Sequence, residues 1–291
     1  MTMEGQNWLG TASSFARAAR GRRCVSQNQP AGVEEHRSNP SLRSFSRRDL
    51  VSTALAGAVA GFRGAEALAQ QSQDVVWQFD RLDSIGGNPA HVDGQPKIIA
   101  TPAGKAVLFD GVHDGLFIDK HPLAGFSQFT FEALVRPDGG DPAQRWFHLA
   151  ETDPKTGLDA TTEPNNPTAD KNARFTFELR VDGDRCYFES FTHGPTYQSA
   201  LIDKTKTHPL GQWYVVTQTY DGQTHRSFVN GVLEKEGPLA YQPQGPGHSS
   251  VGVRINHVSY FKGAVMRAHF VPRALAPSEF MKVPASLASG G

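Results

Sequence analysis

The chain is poor in cysteine. It has two in 291 residues, Cys24 and Cys186. Only Cys186 lies beyond residue 69, so that part can form no internal disulfide and its stability must come from packing. Cys186, between Arg185 and Tyr187, reads either as a half-buried strand residue or as a reactive thiol. A long hydrophobic run is missing too. The most apolar stretch, VSTALAGAVAGF at 51–62, is too short for a bilayer, which takes about 20 residues. No sign of charge dominates, with 29 basic and 29 acidic residues. The clustered positive charge of a nucleic-acid binder is absent. After residue 70 helical periodicity is nearly absent and no internal repeat is visible. No HxH, HxxxH or HExxH spacing supports zinc, and no Gly-x-Ser-x-Gly elbow or Gly-rich phosphate loop stands out.

What is present begins with Ser46-Arg47-Arg48-Asp49-Leu50, followed by the weakly apolar run and by Ala67-Leu68-Ala69. A basic pair, a short apolar segment and a small-x-small site outline an export signal. The segment resembles a bacterial twin-arginine signal, with Arg47 and Arg48 as its pair. Val51 departs from the leucine that often follows. The resemblance implies passage of the inner membrane in the folded state, through the twin-arginine translocation machinery, with cleavage after Ala69. It places the product in the periplasm or outside the cell, without a membrane span after processing. The competing reading is a buried Ala-rich helix with a chance arginine pair. Residues 1–45 are rich in Arg and small polar residues and read as disordered, or as an over-extended translation start. Residues 1–69 hold nine basic and five acidic side chains, which leaves the remainder at a net charge of −4, an ordinary soluble surface.

Residues 70–284 read as one domain of strands and turns, with 285–291 as a tail. Phe129 to Val135 alternates and ends at Arg136-Pro137-Asp138-Gly139. Arg174 to Val181 alternates, turns at Asp182-Gly183-Asp184 and pairs with Arg185 to Thr192 as a hairpin. Trp213 to Tyr220 precedes Asp221-Gly222, and Asn230-Gly231 marks a second hairpin. About a dozen such strands predict an all-β fold, two antiparallel sheets in a jelly-roll sandwich. Pro277 to Met281 is the one short helical candidate. The polar segment 151–173 breaks the rhythm as a long loop.

Five pieces then carry a resemblance. They are Phe109-Asp110-Gly111-Val112-His113-Asp114-Gly115; Phe129 to Val135; Trp213 to Gly222; Val229-Asn230-Gly231; and Phe261-Lys262-Gly263 with Arg273-Ala274-Leu275. In this order they resemble a laminin-G-like domain and, more broadly, the concanavalin A-like lectin and glucanase jelly roll, from about Val76 to Phe280. The resemblance implies the fold. That fold hosts lectins, adhesion modules, glycosidases and lyases. The acidic pair that usually closes the family's last strand is missing here, where Met266 and Arg267 stand, and His269 replaces a usual arginine.

Strand alternation then proposes a binding face. With Phe175, Phe177 and Leu179 inward, Thr176, Glu178 and Arg180 face out, joined by Tyr187, Glu189 and Phe191. On the strand 146–150, Phe147 and Leu149 inward would leave Trp146 and His148 outward. Aromatic planes stack on sugar rings, and charged groups bond the hydroxyls. Trp146, His148, Glu178, Arg180, Tyr187 and Glu189 are therefore the expected ligand residues for a glycan or cell-surface ligand. The alternative is a minor core beneath the long loop. Glu178 and Glu189 are also the best available pair for glycosidase chemistry, should the register bring them together. The alternative there is ordinary surface charge. Phe177-Glu178-Leu179-Arg180 and Tyr260-Phe261-Lys262-Gly263 faintly resemble alginate-lyase motifs, but the glutamine-x-histidine segment those need is absent. Calcium, used by several laminin-G-like relatives, needs six to eight oxygen ligands. Asp153, Asp159, Glu163 and Asp170, with Glu151, Asn165 and Asn166, could supply them. A solvated mobile loop is the other reading.

Overall fold

A computed structural model describes residues 73–161 and 173–288. The signal pair Arg47 and Arg48, and the loop carboxylates Glu163 and Asp170, lie outside the described residues. The strands, in chain order, are β1 (Val75–Gln78), β2 (Ser84–Ile85), β3 (Asn88–Asp93), β4 (Lys97–Thr101), β5 (Gly104–Asp110) and β6 (Gly115–Ile118). The long strands β7 (Phe129–Pro137), β8 (Ala143–Glu151), β9 (Arg174–Asp182) and β10 (Arg185–Gly194) follow. Then come β11 (Tyr197–Ile202), β12 (His208–Pro209), β13 (Tyr214–Tyr220), β14 (Thr224–Val229), β15 (Val232–Pro238), β16 (Gly247–Val251) and β17 (Lys262–Val271). A 3₁₀ turn spans Pro277–Glu279, and one short helix, α1, spans Ala285–Ala288.

Every strand pairing is antiparallel, and the strands form two sheets. An eight-stranded sheet runs β15-β14-β13-β7-β17-β5-β4, with β1 beside β17. A nine-stranded sheet runs β11-β10-β9-β8-β16-β6-β3-β2, with β12 beside β10. This is the all-β, two-sheet sandwich expected from the alternation. Turn chemistry fixes the register. Asn230 and Gly231 take φ of 51° and 80°, the two positive angles that a two-residue hairpin of the right twist requires. The Asn230 side-chain oxygen also accepts the N–H of Val215.

The core between the sheets is aromatic. Phe131 stacks on Phe177 with centroids 4.2 Å apart, and Phe147, Phe270 and Trp77 surround them. Complete burial of each such ring contributes about 1.5–3 kcal/mol. The family-like turn at Asp110 is structural. Its Oδ1 accepts the N–H groups of Val112, His113 and Asp114, while the Asp114 carboxylate accepts those of Gln95 and Asp110.

Residues 281–287 cover the middle of the eight-stranded sheet's outer face. Leu134, Val215, Met266 and Trp213 pack under Met281, Val283 and Leu287. The fully buried Glu132 latches this strap by accepting the N–H of Met281 at 2.9 Å. Glu132 also pairs with His269 Nδ1 at 3.2 Å, so the histidine found in place of the family's arginine still meets a carboxylate. That pairing holds the His269 imidazole above its ordinary pKa, against the effect of burial.

Candidate functional site

A polar row gathers on the outer face of the nine-stranded sheet. The β9–β10 hairpin builds its centre. Its register sets Glu189 directly opposite Glu178, Tyr187 opposite Arg180, and Phe191 opposite Thr176. Alternation had put these residues on one side, and the pairing brings them together. Arg180 bridges both carboxylates, with Nε to Glu189 at 2.8 Å and Nη2 to Glu178 at 3.0 Å. Arg145, from β8, donates to Glu178 at 3.0 Å. The four side chains form one interlocked row across three strands. Neither carboxylate is an ordinary surface charge, since Glu178 and Glu189 are both buried. Burial pushes the Glu178 carboxyl above the usual range. Arg145 and Arg180 pull it back, and Glu189 adds to the rise.

Tyr187 and Phe191 are half-buried on β10 beside this row. The Arg174 guanidinium lies 5.4 Å from the Phe191 ring centroid and 3.4 Å from His193 Nδ1. Phe191 and His193 stack along the same strand.

Two expected ligand residues are fully buried, where alternation would leave them exposed. Trp146 is fully buried in the central core, 6.0 Å from the Phe131 ring and 5.9 Å from Phe177. The cause is a β-bulge. Arg145 pairs with Glu178 and Phe147 with Phe177, so Trp146 is the extra residue. It joins Phe147 on the inner side instead of facing out. The signal for this was in the sequence, since two large aromatics in succession break strict alternation. His148 does lie on the outer face, but it is fully buried, and its Nδ1 accepts the N–H of Ile255. The segment 252–259 runs alongside β8, with the Arg145 N–H donated to the Ser259 carbonyl and the Gly252 N–H to that of Trp146. It brings Arg254 to the same face. Burial, with Arg254, Arg174 and Arg145 nearby, holds His148 well below its ordinary pKa. Arg145, Arg174 and Arg254 are the site residues that sequence reasoning missed. They are far apart in the chain, and only the pairing of β8 with β9 and β16 joins them.

The acidic loop residues do different work. Asp153 Oδ1 accepts the N–H of Lys155 in a local turn. Asp159 Oδ1 takes hydrogen bonds from Thr152 at 2.5 Å and from His248 Nδ1 at 2.8 Å. Among the described residues no three His, Cys, Asp or Glu side chains gather as a metal site.

A family sequence profile, described as that of the Concanavalin A-like lectin/glucanases superfamily, matches residues 110–280. No curated protein matches the chain. Among solved structures, domain 4 of AbnA, a GH43 extracellular arabinanase from Geobacillus stearothermophilus in complex with arabinotriose, is similar over 70% of this chain and 94% of that chain. The identity is 18% and the TM-score 0.51. The botulinum neurotoxin serotype D binding domain is similar over 72% of this chain and 49% of that chain, at 9% identity and a TM-score of 0.49. The likeness to the arabinanase domain is one of fold.

Proposed function

The chain belongs to the concanavalin A-like lectin/glucanases superfamily, and on that premise we propose that it is an exported carbohydrate- or surface-binding module that does not turn its ligand over. The observation that carries the proposal is the outer face of the nine-stranded sheet. There the half-buried Tyr187 and Phe191 flank the row Arg145–Glu178–Arg180–Glu189. Rings of this kind stack on the apolar faces of a pyranose, and the charged row supplies donors and acceptors for hydroxyls. The arabinanase domain of the same fold was solved with arabinotriose, and a glycan is the ligand class proposed here. Export by the twin-arginine route, to the periplasm or beyond, is part of the same proposal and rests on Arg47 and Arg48.

Absence of turnover is argued from the engagement of the carboxylates. Glu178 accepts from two guanidiniums and Glu189 from one. Acid catalysis at a glycosidic bond needs one carboxyl protonated, and each of these ion pairs opposes that. One observation favours a second reading, a glycan-processing enzyme. Glu178 is raised and stands opposite Glu189, as an acid and nucleophile pair would. A glycan array and a reducing-sugar assay on residues 70–291 separate the two. Binding without released reducing ends is the expected result. Turnover abolished by Glu178→Gln would move the site to the enzyme reading. Silence in both assays would favour a structural envelope or adhesion role.

A further inference from the structure

A second cleft lies on the eight-stranded sheet, beside the strap. It holds about 540 Å³ and is half open to solvent, an ordinary size for a small-molecule site. Leu134, Val215 and Met266 form its floor, and Ala103, Met281 and Pro284 its apolar walls. The three wall residues are half-buried, so a ligand in the cleft reaches apolar surface. Both walls are fixed. The Glu132 latch holds Met281 on one side. On the other, Thr101 Oγ1 closes the β4–β5 turn, donating to the Gly104 carbonyl and accepting the Ala103 N–H. The pairing of β17 with β7 slips between Val265 and Arg267, and this bulge sends Met266 and Arg267 out on the same face.

The rim is cationic. Lys105, Arg267 and Lys282 line the cleft and are exposed, with Asp80 as the single carboxylate. The acids of this face are engaged elsewhere. Asp80 pairs with Arg81 at 3.5 Å, Asp74 with His269 at 3.4 Å, and Glu132 with His269 and the Met281 N–H. Arg267 is held by a neutral group, the amide oxygen of Gln78 across the β1–β17 pair, at 2.7 Å from Nε and 2.8 Å from Nη2. Its charge therefore remains unmatched. Among the described residues no aromatic ring lines the cleft, so a pyranose has nothing to stack on. Two thioethers and a proline suit an unbranched chain instead. A metal cation would meet repulsion at the rim, whereas a carboxylate bonds well to Arg and Lys. A bilayer presents its head groups and hides its chains. Here the apolar surface is recessed behind the cations, which favours a single free chain.

We propose that this cleft binds a single-chain aliphatic carboxylate. Its chain lies against Met266, Met281 and Pro284, and its head group meets Lys105, Arg267 and Lys282. The site is on the other sheet from the glycan face and does not depend on that reading.

The test is a magnetic-resonance titration of the full chain, isotope-labelled at its methionine methyls, with decanoate below its micelle-forming concentration. The chain has four methionines. Met266 and Met281 line the cleft, and Met1 and Met3 precede the described residues. The expected result is a saturable shift of the Met266 and Met281 methyls, assigned with Met266→Leu and Met281→Leu. Decanol, which lacks the charge, and acetate, which lacks the chain, should each bind at least about 10-fold more weakly. Lys105→Gln with Lys282→Gln should weaken decanoate about 10-fold and leave the melting temperature unchanged, because both side chains are exposed. Lys235→Gln, on the far edge strand β15 of the same sheet, should leave decanoate affinity unchanged. Equal binding of decanol and decanoate overturns the proposal. So do shifts confined to Met1 and Met3, full affinity in the lysine double variant, or no binding at all. Binding to phosphatidylglycerol vesicles without binding of free decanoate overturns the single-chain ligand in favour of a membrane surface.

Discussion

Acidification from pH 7.5 to pH 5 should destabilise this fold through its buried histidines. Burial lowers His121 to about 4, partly offset by its bond to Gln244, and lowers His225 to about 3. Both are neutral when folded, and both recover an ordinary pKa near 6.5 when unfolded. The unfolded chain therefore binds more protons, and stability rises with pH through this window. Read downward, the contribution is complete above about pH 6.5 and is lost as the pH falls toward the folded values. At pH 5 the unfolded histidines are almost wholly protonated and the buried ones mostly neutral. Each then costs about 2 kcal/mol relative to pH 7.5. His148 shifts in the same direction, for the same reason. His121 and His225 together amount to roughly 4 kcal/mol, and at 2–4 °C per kcal/mol the melting temperature drops by roughly 8–16 °C. His269 opposes this. Its raised pKa gives stability that is present below 6.5 and lost as pH rises through the folded value. Asp221, held at about 2 by Arg226, gives stability that is constant through this window and is lost only as the pH falls below about 4.

Calorimetric melting of residues 70–291 at pH 7.5, 6.0 and 5.0 measures the slope. His225→Phe isolates one term. Its ring packs 6.1 Å from Phe129, its Nε2 has no partner among the described residues, and the substitution gives up only the 3.4 Å contact of Nδ1 with Ser199 Oγ. The variant should retain most of its stability at pH 7.5 and lose about 2 kcal/mol less than the parent on going to pH 5. Identical pH slopes in parent and variant would refute the reasoning.

The remaining predictions concern the bulge, a turn, the acidic loop and export. Trp146→Ala should cost about 3–5 kcal/mol in denaturant unfolding while leaving glycan affinity per folded molecule unchanged, because the ring fills the core. Asn230→Ala should cost about 1–2 kcal/mol, since alanine resists a positive φ and the Val215 N–H loses its acceptor. Millimolar calcium should leave the melting temperature where chelator leaves it, given how Asp153 and Asp159 are engaged. A rise of several degrees, erased by Asp153→Asn with Asp159→Asn, would establish a calcium cage instead. Arg47→Lys with Arg48→Lys should strand folded precursor in the cytoplasm, because ammonium groups do not reproduce paired guanidinium forks. Normal periplasmic delivery in cell fractionation would sink the twin-arginine reading.

What the sequence made legible follows the range of the forces involved. The alternation in Arg174–Asp182, the positive-φ turn at Asn230-Gly231 and the Asp110 turn depend on neighbours in the chain, and each appears in the structure as its residues suggested. Val215, with Trp213 just before β13, on one face and Tyr214 with Val216 on the other follow from the same period of two. Placement failed where it depended on two strands together. A bulge is a mismatch between partners, so the inward turn of Trp146 is a property of β8 against β9 and not of β8 alone. The burial of His148 is set by Ile255, more than a hundred residues later. The same holds for the charges. Arg180 and Glu178 share a strand and could be read as one polar face, but Arg145 and Arg254 join them only through pairing. A site assembled across a sheet is written in the register, and the row Arg145–Glu178–Arg180–Glu189 becomes visible only once the strands are placed.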